Sequence, residues 1–429
     1  MANAHAADSR PIPVAPILIA MALGALVGWL TGPDARIGSV DVVRLFDFAG
    51  TLFINLLKML IVPLIASSII TSVAALGSGR DLGRLGLKTL SFYMLTTLIA
   101  VLIALAAINI AKPGIVDGQP AGHLLALEAD AVNVTSTVKE RASASVFDTL
   151  LNIVPPNIIE AAANTKLLGL VFFSLLFGYF LARIESPYRE SVTNFWQGVF
   201  RTMMRMTEFV MRLAPFGVFA LTARVVAKAG FSAAGPILIF GGCVVASLAV
   251  YMFIALPILI RMVGRVRPWR LFPAMSPALL TAFSTASSSA TLPMSIECLE
   301  KRAKVSERIT GFVMPLGASI NHAGSALYEC AAAMFICQAY GLHLSFATQF
   351  TVVVLALITS MGIAGIPAAS LVGIAVILAA VGLPAEAIGV LLVLDRLLDM
   401  ARTAVNVFAD SACAVIVARL EGETEILKS

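Results

Sequence analysis

Eight apolar stretches, near residues 12–31, 45–77, 84–112, 166–184, 197–228, 236–264, 306–338 and 385–418, are each long enough to cross the ~30 Å hydrocarbon core of a bilayer. In lipid every backbone N–H and C=O needs a partner within the chain, so such segments fold as helices. The sequence therefore reads as an all-α polytopic membrane protein. With 59 % hydrophobic and 13 % charged residues among 429, and a mean hydropathy of +0.93, an ordinary soluble domain is excluded. Residues 1–11 lack a cationic n-region and a small-residue cleavage site, so the first stretch is expected to stay as an anchor.

The formal net charge of +5 gathers in short connections, at Arg80, Arg84 and Lys88 and again at Arg261, Arg265, Arg267 and Arg270. The positive-inside rule makes these cytoplasmic and puts the polar insertion from Gly114 to Ser145, with His123, outside. Because the arginine clusters flank spans, the expected partner is membrane lipid and not nucleic acid. Cys243, Cys298, Cys330, Cys337 and Cys413 show no metal-ligand spacing and read as small core residues. No HExxH, GxSxG or GxxxxGK pattern occurs, which removes the commonest hydrolase and nucleotide fingerprints. Gly24 and Gly28 form a GxxxG of the kind that packs helices closely.

Two further apolar segments are interrupted. From Leu271 to Leu299 the breaker runs from Ser284 to Pro293 and includes Ser287, Ser288 and Ser289; from Phe346 to Val381 it runs from Ser360 to Pro367. The flanking halves are too short to span, so each segment is expected to be a re-entrant helical hairpin, its freed backbone groups facing something other than lipid. The alternative is a polar external loop between two short spans. A pair of interrupted segments at matching places points to a transporter's binding site, and the order hairpin–helix, hairpin–helix suggests inverted repeats.

The last stretch carries Asp399, Arg402, Thr403, Asn406 and Asp410, which fall within an arc of about 100° on a helix. Each Asp or Arg costs roughly 2.5–3.5 kcal/mol at a bilayer centre, so such groups normally face a bundle interior, a water cavity or a substrate. A purely structural Asp/Arg pair is the plainer alternative. In the stretch before the second hairpin, Asn321, Gly324 and Ser325 suggest local unwinding, whose carbonyls could coordinate a cation. Glu329, flanked by Ala326, Leu327 and Ala331, is a candidate proton carrier. His322 lies within the same span and is read equally as structural or functional. A serine-hydrolase reading of Ser287–Ser289 with His322 lacks a visible oxyanion hole.

The serine-rich tip, Asn321-x-x-Gly324-Ser325-Ala-Leu-Tyr328, the Gly365-Ile366-Pro367 hairpin and Asp395-Arg-Leu-Leu-Asp399-Met-x-Arg402-Thr403-x-x-Asn406-Val-x-x-Asp410 together resemble the glutamate transporter family, the dicarboxylate/amino acid:cation symporters, in a prokaryotic form. The resemblance implies eight transmembrane helices, two re-entrant hairpins, a homotrimer and an elevator mechanism without cofactor or covalent chemistry; the compact loops give the expectation of a bacterial plasma membrane. Residues 1–80 and 141–232 become scaffold, 81–140 the third helix of the transport domain with its extracellular loop, and 233–429 the rest of that domain. Arg402 is then expected to hold a substrate's side-chain carboxylate and Asp399 its amino group. Asn406 and the tip at Ser287, Ser288 and Ser289 hold the α-carboxylate, with Ser325, Thr403, Gly365 and Ile366 lining the site.

Three cation sites are also implied: one from Asn321, Asn406 and Asp410, one from carbonyls around Ser360, Met361 and Ile363, and one from Tyr93, Thr96, Thr97 and Asn321 with an aspartate two residues after that asparagine. This chain departs at the last. The family's Asn-Met-Asp-Gly-Thr reads Asn321-His322-Ala323-Gly324-Ser325, so the third set loses its only carboxylate. Ala286 and Met400 stand where relatives carry an arginine in one place or the other. Glu329 matches the glutamate of proton-coupled members, so the expectation is proton-driven import of L-glutamate or L-aspartate, with His322 assisting and residual sodium coupling. The alternatives are sodium-coupled transport of C4-dicarboxylates or neutral amino acids, and an anion channel.

Overall fold

The computed structural model describes residues 14–37, 39–75, 80–125, 127, 154–163, 167–342, 345–362 and 370–427. Helix α1 (Val14–Thr31) leads through the paired strands β1 (Arg36–Ile37) and β2 (Val40–Asp41) into α2 (Val42–Ala75). After α3 (Arg80–Ala111) comes a second small hairpin, β3 (Ile115–Val116) with β4 (Gln119–Pro120). Then follow α4 (Ile158–Ala163), α5 (Leu167–Leu181), α6 (Tyr188–Arg212), α7 (Ala214–Ala229) and α8 (Ala234–Gly264). The remainder is α9 (Leu271–Thr285), α10 (Ser288–Lys301), α11 (Glu307–Ile320), α12 (Ala323–Ala339), α13 (Phe346–Gly362), α14 (Ser370–Val381) and α15 (Leu392–Leu420).

Among the described residues only Leu85–Ala111, α8 and α15 are both long and apolar enough to cross a membrane as single helices. Of the other predicted spans, α1, α2 and α5 are each one helix, and those at 197–228 and 306–338 are divided. The 197–228 stretch, expected as one span, begins earlier and divides into α6 and α7, bent by 53° next to Pro215. Proline lacks the N–H that would continue the ladder. The same cause operates in α8, where π-helical turns flank Pro257.

Two packing groups emerge. Helix α1 runs along α7, and α2 packs on α5, α6 and α7. The GxxxG makes this possible: a Cβ at Gly24 would stand 2.5 Å from the Phe219 carbonyl oxygen, so the backbones touch. In the second group α12 is central, buried throughout except at Gln338, and meets α3, α13, α14 and α15. Helix α9 packs on α10 and α15, and α11 on α10 and α15. Large apolar side chains such as Leu30, Phe48, Phe216 and Leu238 point outward, as a lipid-facing surface requires.

The first interrupted segment is a helical hairpin with a far shorter break than predicted. Only Ala286 and Ser287 leave helical geometry; Ala286 adopts φ 51°, the left-handed turn, and Pro293 lies inside α10. The second segment forms α13 and α14, and its predicted tip residues Ile363, Gly365 and Ile366 lie outside the described residues. The stretch 306–338, expected to run as one helix with local unwinding, is two helices broken at Asn321 and His322. Residues 385–390 are a short 3₁₀ turn, so α15 starts at Leu392.

Candidate functional site

Burial of the polar stripe of α15 is complete. Arg402 has no exposed surface, and its Nη2 donates to Asp395 Oδ1 at 3.0 Å and Asp399 Oδ1 at 3.1 Å. The guanidinium carbon lies 3.8 Å from the centroid of the Tyr328 ring on α12, a cation–π arrangement that a dry site strengthens. Its Nε and Nη1 are buried with no hydrogen-bond partner among the described residues. Donors of a buried guanidinium left unsatisfied are costly, and an anionic oxygen is the acceptor that suits them. Thr403 bonds to its own helix, Oγ1 to the Asp399 carbonyl at 2.8 Å.

Asp395 belongs to this cluster and was not among the residues singled out in the sequence. The signal was present: four residues before Asp399, it falls inside the same 100° arc when the helix is extended back one turn.

The break between α11 and α12 brings polar atoms to α15. Asn406 Oδ1 accepts from the Gly324 amide at 2.7 Å, satisfying a first-turn N–H of α12, while its Nδ2 donates weakly to Ser325 Oγ at 3.4 Å. Asn321 Nδ2 donates to Asp410 Oδ1 at 2.7 Å, and Asn321 Oδ1 accepts from Thr97 on α3 at 3.2 Å. Tyr93 donates to the Val313 carbonyl at 2.7 Å. Gly317 is what permits this approach: a Cβ there would stand 2.6 Å from Asp410 Oδ1 and 2.7 Å from the Tyr93 hydroxyl. Thr96 is spent on its own helix, bonding Phe92 O at 2.8 Å. The first and third predicted cation sets thus form one cluster around Asp410, and a carboxylate stands beside Tyr93, Thr97 and Asn321 although Ala323 supplies none.

The two titratable candidates of this region both meet the end of α13. His322 Nδ1 lies 3.2 Å from the Ser360 carbonyl, a geometry that needs the proton on Nδ1. Glu329, without exposed surface, accepts from Thr359 Oγ1 at 2.6 Å through Oε2, and its Oε1 has no partner among the described residues. Gly373 on α14 is pressed against the same carboxylate, where a Cβ would overlap it. Both arms of the second hairpin therefore touch Glu329.

At the first hairpin Ser287 caps α10, its Oγ accepting from the Ala290 amide at 3.2 Å. Ser288 is buried and Ser289 exposed, so the three serines are not equivalent. Ser360 is buried and bonds back to Leu357 O, and Met361 forms part of the last turn of α13. Ile363, Gly365 and Ile366 fall outside the described residues.

Broken helices converging on buried polar side chains, inside a bundle with a lipid-type exterior, define a multi-pass membrane transporter. The profile of the sodium:dicarboxylate symporter family matches residues 14–420, and the chain belongs to that family. It resembles a proton/glutamate-aspartate symporter of Escherichia coli (strain K12), 36 % identical over 406 residues that cover 94 % of this chain and 92 % of the relative. A proton/sodium-glutamate symport protein of Bacillus caldotenax is 36 % identical over 95 % of this chain and 94 % of its own length. Excitatory amino acid transporter 3 of Oryctolagus cuniculus is 30 % identical over 94 % and 84 %. The protein is a transporter and not an enzyme.

Proposed function

We propose that this chain imports L-glutamate or L-aspartate by symport with protons, with sodium as a secondary coupling ion. The observation that carries the reading is Arg402, whose Nε and Nη1 lack partners while Asp395 and Asp399 hold its Nη2. A substrate's side-chain carboxylate accepts from an open donor of that guanidinium, and its ammonium takes Asp399. Asn406 and the tip at Ser288, flanked by Ser287 and Ser289, receive the α-carboxylate, with Thr403, Ser325, Gly365 and Ile366 around it. A neutral amino acid leaves the fork unsatisfied, and an unsubstituted diacid faces Asp399 without an ammonium.

Protons are carried by Glu329, with His322 assisting. Each is bonded to a neighbouring residue of α13, Thr359 and Ser360, so a change in protonation acts on the second hairpin. Sodium coupling is supported by the oxygen-rich cluster of Asn321, Asn406 and Asp410, next to Tyr93, Thr96 and Thr97; a further sodium site is assigned to the second hairpin at Ser360, Met361 and Ile363, the last outside the described residues. Names of relatives that include both ions agree with this pair of routes. The packing groups suggest the division of labour: α1, α2 and α5–α7 as scaffold, α3 and α8–α15 as the part that moves as an elevator, in a homotrimer of the plasma membrane with eight transmembrane helices.

The test is calorimetric titration of the purified protein with L-glutamate, L-aspartate, L-serine and succinate. Tight binding of the first two, and weak or no binding of the others, is expected. Preference for L-serine would overturn the assignment of Arg402.

A further inference from the structure

Arg396 is a second buried guanidinium with no part in the scheme above. It is 6 % exposed, and its Nη1 lies 3.8 Å from Asp399 Oδ2, while Arg402 holds the other oxygen, Oδ1, at 3.1 Å. Helix geometry dictates the arrangement. Three residues turn the helix by 300°, so Arg396 and Arg402, three before and three after Asp399, flank it about 60° to either side. One carboxylate thus sits between two cations, and Asp395, Arg396, Asp399 and Arg402 sum to zero formal charge. Anything cationic that approaches Asp399 competes with Arg396 for Oδ2.

We propose that Arg396 is a specificity-determining residue: standing on one flank of Asp399, it weakens that carboxylate's hold on a substrate ammonium and so narrows the preference for an amino diacid over the same diacid without the amino group. The inference rests on the reading of Asp399 as the ammonium partner. Coulomb's law gives both halves of the effect. With Arg396 in place, part of the Asp399 charge is already neutralised, so an ammonium gains less from it. The same neutralisation reduces the repulsion that Asp399 exerts on a ligand with two carboxylates and no ammonium. Removing the Arg396 charge lowers the positive potential at the two carboxylates, which both ligands carry and which cancels in their ratio, and leaves the gain at the ammonium, which only L-aspartate carries.

L-Aspartate and succinate share a carbon skeleton and differ by the amino group, so the ratio of their Kd values isolates this term. It is measured by calorimetry on the full-length protein and on Arg396→Gln, Arg396→Lys and Arg396→Met, with the weak Kd of succinate read from its displacement of L-aspartate. Glutamine and methionine are two independent neutral replacements, methionine being apolar and suited to a buried position if glutamine does not fold. The discrimination for L-aspartate is expected to widen about five- to tenfold in both neutral variants, the scale of one partly buried ion pair. Lysine, which keeps the charge, is expected to restore it towards the unaltered value. An unchanged or narrowed ratio in folded neutral variants, with the unaltered protein binding both ligands, overturns the proposal alone. If the unaltered protein binds neither ligand, the reading of Asp399 and Arg402 falls and the proposal with it.

Discussion

Replacing Arg402 by lysine separates its two tasks. Its Nη2 neutralises Asp395 and Asp399, a structural duty, and its Nε and Nη1 are the donors left for substrate. Lysine keeps one positive charge for the two carboxylates but cannot present a planar fork. Hydrogen bonds to charged groups contribute about 1.5–3 kcal/mol each, so losing the one that the substrate carboxylate makes costs on the order of a tenfold to a hundredfold in Kd. Stability should respond differently. Arg402→Gln leaves Asp395 without its cation and Asp399 with only the 3.8 Å contact to Arg396, and is expected to destabilise by about 3–5 kcal/mol, whereas Arg402→Lys loses much less. Thermal unfolding in detergent, read beside calorimetric Kd values for L-glutamate, gives both numbers from one preparation. An Arg402→Lys protein that binds L-glutamate as tightly as the unaltered protein refutes the fork assignment, whatever its stability.

Other expectations follow from the same contacts. In Glu329→Gln the amide oxygen can still accept from Thr359, so the hairpin contact survives while the exchangeable proton is lost; pH-gradient-driven uptake should vanish and exchange of internal for external substrate persist. Uptake that still follows the pH gradient in that variant would sink the proton-carrier role. Gly373→Ala places a methyl against the Glu329 carboxylate and is expected to cost about 1–3 kcal/mol of stability and to slow proton-driven uptake, measured by thermal melting and flux. Ala323→Asp adds a second carboxylate beside the Asn321–Asp410 cluster and should increase the sodium dependence of binding; a sodium titration that is unchanged counts against the cluster as a cation site.

Much of the helical organisation could be read from hydropathy because the bilayer leaves the backbone few choices. What hydropathy did not reveal is where those helices bend. Pro215 and Pro257 look like tolerable residues within apolar runs, yet each removes a ladder hydrogen bond and reshapes its helix. The Ser284–Pro293 breaker was overestimated because serine and threonine can bond back to their own helix: Thr281, Ser284, Thr285 and Thr291 all do so, leaving Ala286 and Ser287 as the turn. At the site, Arg402, Asp399, Asn406 and Asp410 announced themselves by their spacing within an apolar helix. Asp395 and Arg396 lay on the same helix one turn earlier, at its less apolar start, where charge needs less explanation. The pairing of Asn321 with Asp410 across 89 positions, and of Glu329 with Thr359, depends on how separate helices meet, which no local pattern encodes.

Uptake of labelled L-glutamate and L-aspartate into proteoliposomes, first under an inward proton gradient without sodium and then under a sodium gradient at equal pH, bears most directly on coupling through Glu329. Each coupled proton can support about a tenfold concentration of substrate per pH unit, since one unit corresponds to about 1.36 kcal/mol. Concentrative uptake with the proton gradient alone is the expected result. Uptake that requires sodium and ignores the pH gradient would contradict it and leave the sodium sites as the sole means of coupling.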